Sequence, residues 1–424
     1  MVNGLRLEQS KAVVIGNGCA GAECIIAMRD NGYEGDITML TSSKWPIYNP
    51  MLTTYFAAGK IEFAQLFPYG SNEEFTKKYR VKIHGSSPVI SVDAEKRWVV
   101  TDKGLEFQYN KCLVASGASP FLPHIPGIDS EKVFTMRTVE DALRLKSVME
   151  TKPRQVLVVG ASMVGVKIME LCHQKGIEVC LVDMAPHLFP LAASPQCAAV
   201  LEERLKRQGI RFRFNARLGK IEETPGGIRA CFSGSEASEE ADMAVICIGV
   251  RPNLSFVNHE QLVVKKGILV NERMETNMPG LYAAGDVAQG NNLLTNQKQI
   301  IGLWANARYQ GRTAGRNIAG KPDKYPGNIP HNITHFMGMD FISIGDVANY
   351  DYTEVKQHKN KYIQLFWKDG LLSSANLIDE FYSSGAVKYA LIKGLKKQEK
   401  MKTGALPVAQ DILIRELITE VMKG

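Results

Sequence analysis

A glycine-rich turn near the N-terminus restricts the fold of this chain more than any other feature. The apolar run Ala12–Ile15 predicts a buried parallel strand, and Gly16, Gly18 and Gly21 follow it in the pattern G-x-G-x-x-G. A helical pattern comes next. The first glycine makes the tight turn, the second lets the backbone approach a pyrophosphate, and the third lets helix and strand pack closely. The motif predicts a dinucleotide whose phosphates lie at the helix N-terminus.

A second unit of the same kind lies in the middle of the chain. Residues 155–184 predict a strand, a glycine turn, a helix and a strand, with Gly160 and Gly165 in the first and third glycine positions. Ser162 takes the second position, which crowds the approach of a phosphate. Asp183 lies where an acid that binds ribose hydroxyls belongs, and no Arg or Lys follows it directly to receive a 2′-phosphate. The pattern favours NAD(H) over NADP(H), and a doubly wound domain that no longer binds nucleotide is the alternative.

Hydroxyl groups replace the acid expected on the ribose of the first dinucleotide. The strand predicted at 36–43 carries Thr41 and Ser42 at that position, and hydroxyls bond a ribose more weakly than a carboxylate. Pro46 and Pro50 then interrupt residues 44–61, which predict a loop passing over a ligand before a helix begins.

Several further segments outline the remaining architecture. Residues 81–101 alternate apolar and polar positions and predict a small antiparallel meander. Residues 280–288 predict a strand that runs into Asp286 at a helix start, and this carboxylate suits polyol hydroxyls rather than a phosphate. Residues 292–320 have helical periodicity. From about 327 to 424, strand-like runs precede two helical segments, which indicates a separate α+β domain.

Composition excludes several classes of function. The chain has 424 residues, enough for two or three domains, and its net charge of +7 comes without a long basic block, which disfavours nucleic-acid binding. Its apolar runs are shorter than the roughly 18 residues of a membrane span, and its first residues lack the apolar core of a signal peptide, so we expect a cytoplasmic protein. The eight cysteines include no C-x-x-C pair, which disfavours a zinc site or a redox dithiol.

The order of these motifs resembles the FAD- and NAD(P)H-dependent pyridine nucleotide-disulfide oxidoreductase superfamily. The first fingerprint, LVASGASP at 113–120, CIGVRPN at 247–253 and LYAAGD at 281–286 all stand where that superfamily has them. Within it, YNPML at 48–52, QGRTAGRNIAG at 310–320 and the tail at 332–346 are similar to NADH–rubredoxin reductases, ferredoxin reductases and the FAD part of assimilatory nitrite reductases.

The resemblance implies an α/β fold with two doubly wound nucleotide-binding domains, as in glutathione reductase, plus a C-terminal α+β domain. It predicts a discontinuous FAD-binding domain from residues 1–121 and 252–326, an NAD(H)-binding domain from 122–251, and a C-terminal interface domain from 327–424. A homodimer through that last domain is left open.

The resemblance also assigns residues to the two cofactors. Val89 is expected to contact the adenine of FAD through its backbone, and Gly285 and Asp286 the pyrophosphate and ribityl hydroxyls. The full expected FAD set is Gly16, Gly18, Cys19, Ala20, Gly21, Thr41, Ser42, Tyr48, Asn49, Pro50, Val89, Ala115, Ser116, Gly117, Gly285 and Asp286, of which Tyr48, Asn49 and Pro50 run beside the isoalloxazine ring. The expected NAD(H) set is Gly160, Ser162, Gly165, Asp183 and Gly249. No metal site and no catalytic side chain is assigned.

Three departures from the superfamily affect the expected function. The loop at 42–50 lacks the redox cysteine that relatives use to reduce disulfides, persulfides or oxygen. Asn49 and Thr54 stand where ferredoxin reductases often carry Arg and Lys, and Lys167 replaces the usual acid of the NAD site. A helix N-terminus can lower the pKa of a cysteine, so a reactive Cys19 is left open as a point to test.

We therefore expect a flavoprotein oxidoreductase that passes electrons from NADH through FAD, without a redox cysteine, to a small redox protein or a partner subunit. Two alternatives are kept. One is a flavin-bearing subunit with a vestigial NAD site, which serves in assembly or electron relay. The other is a reductase of a small molecule or of oxygen.

Overall fold

The computed structural model describes residues 6–402. The second of the two helical segments expected at the C-terminus falls on 403–424 and lies outside these residues. The helices are α1 (Cys19–Asp30), α2 (Thr53–Ala57), α3 (Asn72–Tyr79), α4 (Val139–Glu150), α5 (Met163–Gln174), α6 (Pro195–Arg207), α7 (Trp304–Ile318) and α8 (Ser384–Lys402). A short 3₁₀ helix covers Phe63–Leu66.

The strands follow in chain order. The first are β1 (Arg6–Ile15), β2 (Ile37–Leu40), β3 (Val81–His84), β4 (Val89–Asp93), β5 (Trp98–Thr101), β6 (Leu105–Val114), β7 (Ala118–Pro120) and β8 (Val133–Phe134). Next come β9 (Gln155–Val159), β10 (Glu178–Val182), β11 (Arg211–Arg213), β12 (Leu218–Thr224), β13 (Gly227–Phe232), β14 (Ser238–Ala241), β15 (Met243–Ile246) and β16 (Val250–Pro252). The last are β17 (Ile268–Leu269), β18 (Leu281–Ala283), β19 (Ala288–Asn292), β20 (Gln297–Gln299), β21 (His331–Phe336), β22 (Met339–Gly345), β23 (Tyr352–His358), β24 (Lys361–Lys368) and β25 (Leu371–Ile378).

The described chain divides into two units. The first comprises residues 6–119, 137–142 and 250–328, and the second comprises 120–136, 143–249 and 329–402. The fold is the α/β architecture expected from the sequence. The domain boundaries expected at 121, 251 and 326 stay a prediction.

The first unit is built on one mixed sheet. Its strand order is β3-β2-β1-β6-β5-β4, with β18 added beside β6. The apolar residues of β1 lie between two parallel neighbours, so that Ala12 faces Ile37 on one side and Lys111 on the other. Burial on both faces explains why β1 has a continuous apolar run instead of an alternating pattern.

Two expectations for this unit are partly wrong. In the meander expected at 81–101, β4 and β5 are antiparallel as predicted, but β3 pairs in parallel with β2 because the intervening α3 returns the chain in the same direction. After Asp286 the chain forms a hairpin of β19 and β20, and its helix begins only at Trp304. The Asn-rich stretch Asn291–Asn296 supplies the turn residues that favour a hairpin here.

The second unit contains one parallel sheet and two antiparallel sheets, and the smaller antiparallel sheet has the order β12-β13-β14. The parallel sheet has the order β11-β10-β9-β15-β8, and the C-terminal sheet has the order β21-β22-β25-β24-β23. The loop after β10 packs on the C-terminal sheet, where Phe189 stacks on Phe341 with ring centroids 4.7 Å apart. In the same contact, the Ser194 amide donates to the Asn376 side chain at 2.9 Å.

Within the first unit, α7 packs against α1 at backbone distance. A Cβ atom added to Gly311 would lie 2.4 Å from the Ala20 carbonyl oxygen, and one on Gly315 would lie 2.3 Å from that of Cys24. Only glycine fits at either position.

A buried carboxylate joins the same two helices. Glu23 of α1 is 2% exposed, and it accepts hydrogen bonds from Arg308 at 2.8 Å, Arg312 at 2.6 Å and the Tyr69 hydroxyl at 2.9 Å. Burial acts to raise the pKa of Glu23, but the hydrogen bonds from Arg312, Tyr69 and Arg308 outweigh it, so the pKa is lowered.

We predict that Glu23→Gln lowers the free energy of unfolding at pH 7 by about 1–3 kcal/mol, since hydrogen bonds to a charged acceptor are lost. The folded-state pKa of Glu23 lies below the ordinary 4.5. The ionised carboxylate therefore stabilises the folded state at pH values above 4.5, and this stabilisation is lost as the pH falls through the folded-state pKa. Thermal unfolding from pH 7 to pH 3 should therefore show the two proteins converging under acid. Glu260→Gln, at an exposed carboxylate of the same unit, is the control. Parallel pH profiles for Glu23→Gln and the unmodified protein would contradict this account.

Candidate functional site

The glycine turn of the first unit leaves an open space at the N-terminus of α1. Gly16 has a φ of +106°, and a Cβ there would lie 2.2 Å from the Ala115 carbonyl oxygen. A Cβ on Gly21 would lie 2.2 Å from the carbonyl oxygen of Gly16. A Cβ on Gly18, in contrast, meets no atom within 4 Å. Protein packing therefore explains the first and third glycines, and the second borders a space that suits a closely approaching phosphate.

The electrostatics of this helix end suit an anion. Gly18 caps α1 without a side-chain hydrogen bond, and the first turn contains no acidic residue. The N–H groups that begin the helix have no partner within it and carry the positive end of its dipole.

A cavity of about 470 Å³ opens in front of the turn, within the size range of ligand pockets. Fourteen of the sixteen residues expected at FAD line it, and these are Gly16, Gly18, Cys19, Ala20, Thr41, Ser42, Tyr48, Pro50, Val89, Ala115, Ser116, Gly117, Gly285 and Asp286. The tertiary structure thus brings five separate segments of the chain to one cavity.

Two of the expected residues do not line the cavity. Gly21 is buried inside α1, where it contacts the turn and not the open space. The Asn49 side chain accepts a hydrogen bond from the Met51 amide at 3.0 Å and so stabilises its own loop.

Arg137 is a cavity residue that the sequence analysis missed. Its guanidinium donates to the Asp286 carboxylate at 2.7 Å, and both side chains are mostly buried. The local signal was a capping box directly after it, in which Thr138 and Asp141 exchange hydrogen bonds of 3.0 and 2.9 Å at the start of α4. This box aligns the helix start and fixes the position of Arg137.

The environment of Arg137 includes a tyrosine from the loop at 42–50. Burial raises the pKa of Tyr48 to about 12, while the charge of Arg137 acts to lower it. The Tyr48 hydroxyl therefore stays protonated at neutral pH.

Gln310 is a second residue that the sequence analysis missed. It is 1% exposed on α7, and its side-chain oxygen accepts a hydrogen bond from the Gly285 amide at 2.8 Å. The Gly285 N–H is therefore engaged with the protein, and Gln310 holds the bend that directs Asp286 toward the cavity.

The pKa of Cys19 is raised, and not lowered as its place at a helix N-terminus left open. Its side chain is 4% exposed, and burial raises the pKa of the thiol to about 12. The hydrogen bond with the Tyr69 hydroxyl, at 3.6 Å, acts in the opposite direction but is the smaller effect. Desolvation of the thiolate is the largest effect on the pKa of Cys19.

The glycine turn of the second unit repeats this geometry with one change. A Cβ on Gly160 would lie 2.4 Å from the Cys247 carbonyl oxygen, and one on Gly165 would lie 2.0 Å from the Gly160 oxygen. Ser162 caps α5, where its hydroxyl donates to the Cys247 carbonyl at 2.8 Å and accepts from the Gly165 amide at 3.2 Å. The serine hydroxyl is thus directed at the protein.

Asp183 follows β10 and supports the turn of the second unit. One carboxylate oxygen accepts from the Ala161 amide at 2.7 Å, and the other accepts from the Ala185 amide at 2.8 Å. A carboxylate has about four lone-pair sites, so acceptor capacity remains for ribose hydroxyls. Gly249 follows β15, and its carbonyl accepts from the Phe121 amide at 2.9 Å.

Within residues 6–402, no group of three or more His, Cys, Asp and Glu side chains could hold a metal ion. Among the same residues, no helix is long and apolar enough to cross a membrane.

Comparisons with known proteins agree with this geometry. The family model for pyridine nucleotide-disulphide oxidoreductases matches residues 10–311. The epsilon subunit of the NADH-dependent phenylglyoxylate dehydrogenase of Aromatoleum evansii is 28% identical over 91% of this chain and 92% of its own length. The rubredoxin-NAD(+) reductase of Pseudomonas putida is 27% identical over 80% of this chain and 87% of its own.

One solved structure matches nearly the whole fold. The water-forming NADH oxidase of Lactobacillus brevis, bound to NADH, has a TM-score of 0.86 at 19% identity and covers 98% of this chain and 99% of its own. The chain belongs to the pyridine nucleotide-disulphide oxidoreductase family, and it is an NAD(P)H-dependent flavoenzyme whose cofactors are FAD and a nicotinamide dinucleotide.

Proposed function

We propose that this protein passes electrons from NADH through FAD directly to a small redox protein or a partner subunit. The observation that carries the proposal is the lack of a reactive thiol beside the cavity. The loop at 42–50, which contributes Tyr48 and Pro50 to the cavity lining, contains no cysteine. A disulfide or persulfide reductase of this family needs a cysteine there to accept electrons.

The state of the other thiols supports the same proposal. Burial raises the pKa of seven of the eight cysteines, namely Cys19, Cys24, Cys112, Cys172, Cys180, Cys197 and Cys247. The thiolate is the reactive form of cysteine, so these buried groups are poor nucleophiles at neutral pH. All eight cysteines are free in the structure.

The choice of NADH over NADPH rests on Asp183. Its carboxylate is held by two backbone amides at the end of β10, where a dinucleotide ribose lies in this fold. A negative charge at that place bonds free hydroxyls and repels a 2′-phosphate.

Both departures from the NAD fingerprint have a role in the protein itself. Ser162 serves as the cap of α5. Lys167 donates to the Glu170 carboxylate at 3.2 Å and to the His335 carbonyl, and Glu170 accepts the Met337 amide at 3.1 Å. Lys167 therefore anchors the hairpin of β21 and β22 to α5. Because each departure is explained by a contact inside the protein, neither by itself indicates a vestigial NADH site.

The residues of the cavity would bind and orient the flavin. The fit rests on the open space at Gly18, the N-terminus of α1, and the Asp286 carboxylate available for hydroxyl groups. When bound, FAD supplies the hydride acceptor and the centre from which electrons leave. Arg137 holds the Asp286 carboxylate in place, and the protonated Tyr48 hydroxyl is available as a hydrogen-bond donor.

The relatives support an acceptor outside this chain. One is a subunit of an NADH-dependent dehydrogenase, and another is a reductase that acts on rubredoxin. An oxygen-reducing enzyme shares the fold at 19% identity, so reduction of oxygen or of a small molecule stays the second alternative. A homodimer through the C-terminal domain also stays a prediction.

The main test is an anaerobic titration of the holoprotein with NADH, in which the absorbance of the flavin band is followed at about 450 nm. We expect full bleaching, and then faster reoxidation by rubredoxin than by coenzyme A disulfide, since no thiol relay exists. Absence of bleaching would support the vestigial site. Faster reoxidation by the disulfide would contradict direct electron transfer.

We predict that Asp183→Ala lowers kcat/KM for NADH about 10-fold or more, because a charged hydrogen-bond acceptor is removed from the ribose. The value for NADPH should fall less or rise, since the repulsion of its 2′-phosphate is relieved. Steady-state kinetics with both nucleotides measure the change, with Asp129→Ala, at an exposed acid of the second unit, as control. Equal or better turnover of NADPH by the unmodified protein would overturn the assignment.

We predict that Cys19→Ser leaves flavin reduction by NADH and electron transfer to rubredoxin unchanged. Serine fits the same turn, and the buried thiol takes no part in electron transfer. Iodoacetamide treatment of the reduced protein should have as little effect, and Cys231→Ser tests the partly exposed thiol in the same way. Loss of electron transfer to every acceptor while FAD stays bound would establish a thiol relay.

A further inference from the structure

Asn17, the residue between the first two glycines, links three parts of the cavity. Its side-chain N–H donates to the Trp45 carbonyl at 3.0 Å, and its side-chain oxygen accepts from the Thr41 hydroxyl at 2.7 Å. Asn17 is 8% exposed. One buried amide therefore joins the phosphate turn, the end of β2 and the start of the loop that carries Tyr48.

The Thr41 hydroxyl is committed to the protein. It is 6% exposed, donates its single hydrogen to Asn17, and accepts the Ser43 amide at 3.1 Å. It cannot donate to a ribose oxygen without giving up the bond to Asn17.

Ser42 differs from Thr41 in its exposure and in its hydrogen bonding. It is exposed, it lines the cavity, and its hydroxyl has no hydrogen-bond partner among the described residues. It follows the carboxyl end of β2, the position at which this fold binds the ribose hydroxyls of a dinucleotide.

We infer that Ser42 binds the 2′-hydroxyl of the adenosine ribose of FAD, and that Asn17 and Thr41 form a positioning pair that holds the loop at 41–45 against the phosphate turn. The inference rests on the proposed FAD site in this cavity. In the usual fingerprint a single acid at this position binds the ribose. Here Ser42 binds the ribose, and Thr41 positions the loop.

The loop is fixed at both ends of this short segment. The Ser43 hydroxyl accepts the Trp45 amide at 3.0 Å, which continues the turn begun by Thr41. The Trp45 indole donates to the Glu140 carboxylate at 2.6 Å, and its ring meets the Phe63 ring with centroids 5.4 Å apart. The bond from Asn17 therefore sets the main chain, and the ring contacts set the side chain.

The first experiment reconstitutes the apoprotein with FAD and with an FAD analogue that carries 2′-deoxyadenosine. The unmodified protein should bind FAD about 2- to 10-fold more tightly than the analogue, the range for one neutral hydrogen bond. Ser42→Ala should bind both equally. Thr41→Val should bind both more weakly but keep the preference for FAD, and Thr41→Ser, which retains the hydroxyl, should bind as the unmodified protein does.

A preference lost in Thr41→Val and kept in Ser42→Ala would overturn the inference, and so would an unmodified protein that shows no preference. Should Thr41→Val fail to retain either cofactor, the Ser42→Ala result decides alone, because that exposed position does not support the fold. If the unmodified protein bound neither flavin, the proposed FAD site itself would be wrong. This outcome is distinct from a failure of the Ser42 inference alone.

The second experiment is a double-mutant cycle on the positioning pair. Asn17→Ala and Thr41→Val should each weaken FAD binding and change the visible circular dichroism of the bound flavin. The double variant should lose less than the sum of the two single losses, because both changes break the same hydrogen bond. Ser42→Ala should leave the circular dichroism unchanged. Additive losses in the cycle, or an altered spectrum in Ser42→Ala, would overturn the positioning role.

Discussion

The cavity depends on a contact between two backbones that leaves no room for a side chain. The α-carbon of Gly16 lies against the carbonyl of Ala115, and Gly21 lies against the carbonyl of Gly16 itself. These contacts bring the ends of β1 and β6 and the start of α1 together. Because α1 starts at this junction, its free N–H groups face the open space at Gly18. The second unit uses the same contact between Gly160 and Cys247.

The position of α1 is secured from behind by α7. Gly311 and Gly315 let the two helices approach to backbone distance, and the buried Glu23 carboxylate receives two guanidinium groups from one face of α7. The same α7 carries Gln310, which holds the bend before Asp286. One helix thus supports the phosphate end of the cavity and orients its carboxylate, which links the packing of the unit to the binding of the flavin.

The departures from the family fingerprint follow a common pattern. Ser162 caps a helix, Lys167 anchors a hairpin, and Thr41 holds a loop, so each replaces a cofactor contact with a contact inside the protein. The missing cysteine of the loop at 42–50 is a chemical change of another kind. It removes the relay that a disulfide or persulfide substrate requires, and in the function proposed above electrons then depart directly from the flavin.

Local sequence patterns were enough to predict some parts of the fold and of the site. The glycine turns, the apolar strands before them, and the acids Asp183 and Asp286 were predictable, because short-range geometry requires those residue types at those spacings. The sequence did not identify Arg137, Gln310 or Asn17 as site residues. Their hydrogen-bond partners are distant in the sequence and are brought near only by the sheet and by α7. These partners are Asp286, Gly285, Thr41 and Trp45. The helical periodicity of the residues before Trp304 also predicted a helix start that is too early. Those residues form a hairpin, which Asn-rich turn chemistry favours. The direction of the pKa shift of Cys19 was set by the tertiary structure, because burial of the thiol is its largest cause and burial is a property of the folded chain.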